Sequence, residues 1–200
     1  MKKWLLVLLI LASSNLFAQY SDKYAKYLVE LRKNTVIDKK DREVYNLLEA
    51  FYNDCLQADD GALKTETSRK INEFYNNPNS KNKSIFNMFF AYQNHISETA
   101  AAGKEPDSRF QVDIINDLEK EIISIYGTVP TIVFIYKAEA LNSNRQFAEA
   151  AEVISKGLQL FPNSIPLKVY KYMDSKELNL KADLLKNHSQ HWMVKQFEIK

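Results

Sequence analysis

Apolar side chains recur along this chain at intervals of three and four residues, the period of a helix with one buried face. Tyr24, Tyr27, Leu28 and Leu31 set that period over 20–34. Val44, Leu47, Leu48, Phe51, Tyr52 and Cys55 repeat it over 41–57, where Asp41 is placed to cap the first free backbone N–H groups. Asp59-Asp60-Gly61 breaks the pattern. A more polar helix is predicted over 62–76 from Leu63, Ile71, Phe74 and Tyr75, and Asn76-Asn77-Pro78-Asn79 ends it. Ser84 is expected to cap a strongly apolar helix carrying Ile85, Phe86, Phe89, Phe90 and Ile96, which closes at Gly103. Asp107 or Ser108 opens the next, with Phe110, Ile114, Leu118, Ile122 and Ile125 in register and Tyr126-Gly127-Thr128 at its end.

The segment 131–136 (TIVFIY) breaks the rhythm. Alone, a β-branched and aromatic run of this kind resembles a buried strand. A lone strand would have no partner here, and the helix-favouring Lys137 to Leu141 (KAEAL) comes directly after it, so a fully buried helix is predicted. Phe147, Ala150, Ala151, Ile154, Leu158 and Phe161 then share one face over 145–161. Helices over 165–176 and 180–188 precede a tail with Trp192 and Phe197. About nine helices joined by short links imply an all-α fold of antiparallel helical hairpins.

The first residues have a different character. Lys2 and Lys3 precede the uncharged run Trp4 to Ala12, and Leu16-Phe17-Ala18 supplies a small residue before a cut at Gln19. This is the layout of a cleavable secretory signal over 1–18. A membrane span needs about 20 apolar residues, and Ser13, Ser14 and Asn15 interrupt this run too early. The expected mature chain, 19–200, is therefore periplasmic or extracellular, and its Lys- and Asn-rich composition suggests a bacterial envelope. Setting Lys2 and Lys3 aside leaves 25 basic against 25 acidic residues. That balance gives no electrostatic reason to expect nucleic acid or an anionic membrane as partner. Cys55 is the one cysteine, so no internal disulfide can form, and its place in the apolar pattern makes it a small core residue.

Residues 131–164, and above all the stretch NRQFAEAAEVISKGLQLFPNS, resemble one tetratricopeptide repeat (TPR), a family of stacked helical hairpins. Pro162 takes the family's proline position, Ala138 and Ala150 its small packing positions, Phe147 the aromatic that opens the second helix, and Leu158 and Leu160 the apolar pair before the proline. Lys137, Leu141 and Gly157 depart from it, standing where a leucine, an aromatic and an alanine are usual. Asn77-Pro78-Asn79 resembles the end of an earlier, degenerate unit. The resemblance implies a short α-solenoid: degenerate hairpins over 19–128, one repeat over 131–164, and capping helices over 165–200. It also implies a concave groove for a partner protein or peptide, lined by Ile132, Ile135, Tyr136, Glu139 and Asn142.

Candidate chemistry is sparse. Four glycines build no phosphate loop, and no nucleophile elbow or Cys/His pair stands out. His188 and His191 are spaced to share a helical turn, but no third ligand is near, and solvated histidines are expected rather than a metal site. Glu119, Lys120, Glu121, Lys168 and Lys171 read as solvated helix faces. Phe86, Phe89, Phe90 and Tyr92 could line an apolar ligand site, although core packing explains them more simply. Asn82-Lys83-Ser84 and Asn187-His188-Ser189 match the glycosylation acceptor pattern. No cofactor is implied. The expected function is an exported protein–protein interaction module and not an enzyme. The alternatives are a hydrophobic-ligand carrier or enzyme with its site in the 84–126 hairpin, and a subunit that self-associates through Trp192, Met193 and Phe197.

Overall fold

The computed structural model describes residue 20 and residues 22–200, and the leader expected over 1–18 lies outside the described residues. The chain divides into two compact units, Met1–Thr35 and Val36–Lys200. In the first, the described residues form a helix over 22–32, and Tyr20 and Tyr24 stack with ring centroids 6.1 Å apart.

The second unit carries α1 (Glu43–Tyr52), which runs into one turn of π-helix (Asn53–Gln57), then α2 (Thr65–Asn76), α3 (Lys83–Ala101), α4 (Ser108–Tyr126) and α5 (Thr131–Ser143). It continues with α6 (Phe147–Leu160), α7 (Ile165–Ser175), α8 (Leu178–Asn187) and α9 (Trp192–Gln196). Among the described residues there is no strand. The protein is all-helical, with TIVFIY forming the first turns of α5. Every residue from Thr131 to Tyr136 is buried, which explains its ambiguous pattern: a helix covered on all sides has no polar face to mark its period.

Helix ends follow local hydrogen-bond demand. The Asp107 carboxylate accepts from the backbone N–H groups of Arg109 and Phe110 at 3.0 and 3.1 Å, and Gly127 closes α4 in the left-handed region at φ 72°. Asp41 accepts from Glu43 N at 2.8 Å although Arg42 holds the cap position. Ser84 does not cap α3. It lies inside the helix, and its hydroxyl donates to the Glu121 carboxylate. The cap position belongs to Asn82, whose side-chain amide accepts from Asp38 N at 2.9 Å and donates to Asp38 O and Tyr126 Oη at 2.8 and 3.0 Å. Asn82 thus staples the 36–41 loop to α3 and α4, and with no accessible surface it presents nothing for glycosylation.

The core is aromatic. Phe86, Phe89 and Tyr92 of α3 are at most 1 % exposed. Phe51 and Phe74 meet Phe89 and Phe86 edge-on, each pair at 5.3 Å, and Tyr136 of α5 stacks over Phe89 and Tyr92 at 5.8 and 5.1 Å. The stripe imagined as a ligand site is filled by neighbouring rings, each pair worth about 0.5–1.5 kcal/mol beyond its buried area.

Two faces expected to be solvated are not. Lys137 Nζ lies 2.5 Å from Glu119 Oε2 with both side chains about one-fifth exposed, and Lys168 Nζ lies 2.6 Å from Asp183 Oδ2. In each case a neighbouring helix brings the counter-ion, a fact that periodicity on one helix cannot reveal. Lys137, anomalous for the repeat, pairs with α4.

The C-terminal segment folds back on the π-turn. Trp192 N donates to Asp59 O at 3.0 Å, and the indole lies on Gly61, where an added Cβ would sit 2.7 Å from Trp192 Nε1. Met193, Val194 and Ile199 join Ile165, Val169 and Leu184 in one cluster, with Phe197 packed against it. His191 is fully buried rather than solvated: Nε2 is 2.9 Å from Leu56 O, and Nδ1 accepts from Met193 N at 3.2 Å. These bonds fit one neutral tautomer with the proton on Nε2.

Two predictions arise from this packing. Gly157 stands where a Cβ would lie 3.0 Å from Leu167 Cδ1 and 3.2 Å from Phe134 Cβ. Gly157→Val should therefore destabilise the protein by about 1–3 kcal/mol through overpacking, read as a lower urea midpoint at unchanged slope. Burial lowers the His191 pKa from its ordinary 6.5, opposed by the Leu56 carbonyl and Asp59. A depressed histidine leaves stability intact above 6.5 and removes it as pH falls from there toward the folded value. Protection of the Met193 and Val194 amides, taken relative to the unfolded chain's exchange rate at each pH, should fall over that window; protection that stays constant through it would contradict the neutral latch.

Candidate functional site

The five residues expected to line a groove do not share a surface. Ile132 and Ile135 have no exposed area and Tyr136 retains 8 %. The face of α5 assigned to a partner is occupied by the protein's own α3, whose Phe89 and Tyr92 stack on the Tyr136 ring. Tyr92 Oη donates to Tyr136 O at 3.1 Å, and Gln93 Nε2 donates to Tyr136 Oη. Glu139, half-buried as a residue, turns its carboxyl inward to accept from Tyr170 Oη of α7. Burial raises the Glu139 carboxyl above its ordinary range, opposed by that hydrogen bond. Burial, reinforced by the Glu139 charge, drives the Tyr92, Tyr136 and Tyr170 phenols upward. This network is a polar girder between α3, α5 and α7.

Asn142, one turn further along, is exposed. With Phe147, Ala150, Ile154, Tyr170 and Lys171 it lines a small cleft of about 40 Å³, room for the tip of one side chain rather than for a metabolite. Phe147, expected to share the buried face of α6, is 62 % exposed at its rim. Ala150, Ile154 and Gly157 are the buried residues of α6, the first two at 2 and 4 % exposure.

A larger opening lies at the other end of α6. Glu49, Tyr52, Asn53 and Gln57 from α1 and the π-turn face Thr131 and the 160–164 turn across a groove of about 350 Å³. The π-turn adds a residue to the helical register, as such turns often do near functional sites. Its Gln57 Oε1 accepts from Ile165 N at 3.0 Å and Tyr52 Oη at 2.7 Å, while Gln57 Nε2 donates to Asn163 O at 3.2 Å. Tyr52 Oη also lies 2.8 Å from Ser164 Oγ. Burial pushes the Tyr52 phenol up to about 12, opposed by the Ser164 contact. Glu49 Oε1 accepts from Thr131 N at 3.0 Å, and burial raises its carboxyl despite that bond. Sequence reasoning missed this groove. The one available signal was Glu49, an acid set between Leu48 and Ala50 on an apolar helix.

Cys55 is half-buried in the π-turn, and burial raises its thiol, which favours the unreactive protonated form. Both His191 nitrogens are engaged, and among the described residues no group of three or more His, Cys, Asp or Glu could hold a metal ion. Nor is any helix of the described residues long and apolar enough to cross a membrane.

The girder yields two expectations. Tyr136→Ala should cost about 3–5 kcal/mol of stability, the range for removing a buried aromatic ring. Glu139→Gln keeps an acceptor for Tyr170 and removes the buried charge. A raised carboxyl costs stability as pH climbs above its ordinary 4.5 toward the folded value. Urea midpoints of parent and Gln variant should thus converge near pH 4 and separate at neutral pH with the variant higher. A variant less stable than the parent at neutral pH would show that the ionised carboxylate is needed.

Compared with known proteins, the chain matches no family model, no curated protein and no solved structure.

Proposed function

We propose that this protein is an exported helical interaction module that docks a segment of another protein, with an adaptor or scaffolding role in a bacterial cell envelope. The single observation that carries the docking surface is Phe147, 62 % exposed beside Asn142 and the Tyr170 wall of the α6–α7 cleft. An aromatic ring on a rigid helix, next to a dent with polar and apolar walls, is the type of feature that anchors a partner. The partner surface lies at this cleft and not on the α5 face, whose side chains are committed to the core.

That role fits a short stack of TPR-like hairpins, the arrangement that the resemblance of residues 131–164 implies. The helices α5 and α6 are joined by a three-residue turn, and Ala138, Ala150 and Gly157 are buried where a repeat needs small residues. Pro162 comes after α6 at the repeat's proline position. Each such hairpin leaves an apolar face that the next one covers, so the last must be capped, here by α8 and α9. Export rests on the Lys2-Lys3 pair and the apolar run behind it.

The test is cross-linked co-purification of the tagged mature chain, residues 19–200, from its native envelope. A partner retained by the parent should fall at least about tenfold with Phe147→Ser, as loss of an aromatic hot spot costs about 2 kcal/mol or more, while the melting midpoint of the variant holds. Undiminished retention would remove the α6–α7 cleft as the docking surface. A solitary parent protein would overturn the interaction reading itself.

A further inference from the structure

The groove between the π-turn and the 160–164 turn has an electrostatic asymmetry. Of its lining residues, Glu49 alone carries a formal charge, and no lysine or arginine is among them. Two helix starts, α5 at Thr131 and α7 at Ile165, meet its wall and would ordinarily attract an anion. Here their donors are already engaged. Thr131 N gives its proton to Glu49 Oε1 at 3.0 Å, Ile165 N to Gln57 Oε1 at 3.0 Å, and Leu167 N to Ser164 Oγ at 3.3 Å. The helix ends are closed to an incoming anion, and the charge that remains on offer is negative.

The acceptor is also one-sided. Glu49 Oε1 already accepts from Thr131 N at one of its lone pairs, so Oε2 is the oxygen more open to a ligand. A guanidinium fork is best matched by both oxygens of a carboxylate, whereas an ammonium is a point charge that one oxygen serves. Beside it lie Phe161, half-buried, and Leu160, 59 % exposed, an apolar rail along which a four-carbon stem can lie while its head reaches the acid. At about 350 Å³ and open to solvent, the groove accommodates one long side chain together with its flanking backbone.

We propose that this groove is a second docking site, which takes a lysine side chain of a partner protein with its ammonium on Glu49 Oε2 and its stem on Leu160 and Phe161. The exposed amide of Asn53 meets the backbone of the same segment. The site lies at the opposite end of α6 from Phe147 and stands whether or not that cleft takes a partner.

The experiment is an amide NMR titration of the mature chain with three probes: Nα-acetyl-lysine methylamide, its norleucine counterpart, and n-butylamine. The lysine probe should shift the amides of Glu49, Asn53, Thr131 and Phe161 and saturate in the millimolar range expected of a single anchor. Norleucine, which lacks the charge, should bind about three- to fivefold more weakly, and Glu49→Gln should weaken the lysine probe by a similar factor. The glutamine oxygen can still accept from Thr131, so the wall persists, and the unchanged amide spectrum of the variant away from the groove checks this. Equal binding of norleucine, an unaffected Glu49→Gln variant, or shifts that fall elsewhere would overturn the site. Butylamine binding as tightly as the lysine probe would overturn the protein source and leave a small-amine site. Loss of the envelope partner in co-purification would leave this titration unmoved, so the two readings fail separately.

Discussion

The second unit hangs on α5, a helix with no solvent face over its first turns. Because Thr131 to Tyr136 are buried all round, every side of this helix must be met by another element. The Tyr136 ring stacks on α3, Lys137 pairs with Glu119 of α4, Glu139 accepts from Tyr170 of α7, and Thr131 N rests on Glu49 of α1. Phe134 crowds the bare backbone of α6 at Gly157. Such a core tolerates little. Interiors are packed as densely as organic crystals, so a change in volume on α5 is felt by its neighbours together.

That constraint also decides where function can reside. In the repeat that residues 131–164 resemble, the first helix contributes side chains to a partner groove; here the same positions are spent internally, on the aromatic stack with α3. The openings that remain lie at the two ends of α6, and the proposed recognition is placed there. At one end stands an exposed aromatic beside a shallow cleft, at the other an acid beside an apolar rail. They are chemically unlike, so on the proposed reading they would favour different partner segments.

The helices were legible in the sequence because their apolar spacing is strong and their breakers are few. Asp107 and Gly127 fall where hydrogen-bond demand puts them, and even TIVFIY could be assigned to a helix from the KAEAL run on its C-terminal side. Ser84 misled because the true cap, Asn82, sits in a left-handed conformation that binds a loop more than 40 residues away in sequence. Glu119 and Lys168 misled because charge on one helix says nothing of the counter-ion opposite. The groove residues misled for a related reason: the resemblance assigns Ile132, Ile135 and Tyr136 to one face without saying whether a partner or the chain itself covers it. The Glu49 groove was invisible because its walls come from α1, the π-turn and the α6–α7 turn, which only folding brings together. Long-range pairing, not local propensity, separates what was read from what was missed.

The buried ionisable groups then set how the whole responds to pH. Glu49 and Glu139 are raised by burial, so each subtracts stability as pH rises above 4.5. His191 is lowered by burial and subtracts stability as pH falls below 6.5. Asp183, lowered chiefly by its bond from Lys168, matters only below its ordinary 3.8. The opposed slopes of the two glutamates and the histidine overlap in the weakly acidic range and partly cancel there. The two glutamates act through α5, whereas the histidine acts through the C-terminal segment and its hold on the π-turn. Acidification therefore relaxes the charge strain in the core while it loosens the clasp beside the Glu49 groove, so the core glutamates and the C-terminal clasp respond to protons in opposite senses.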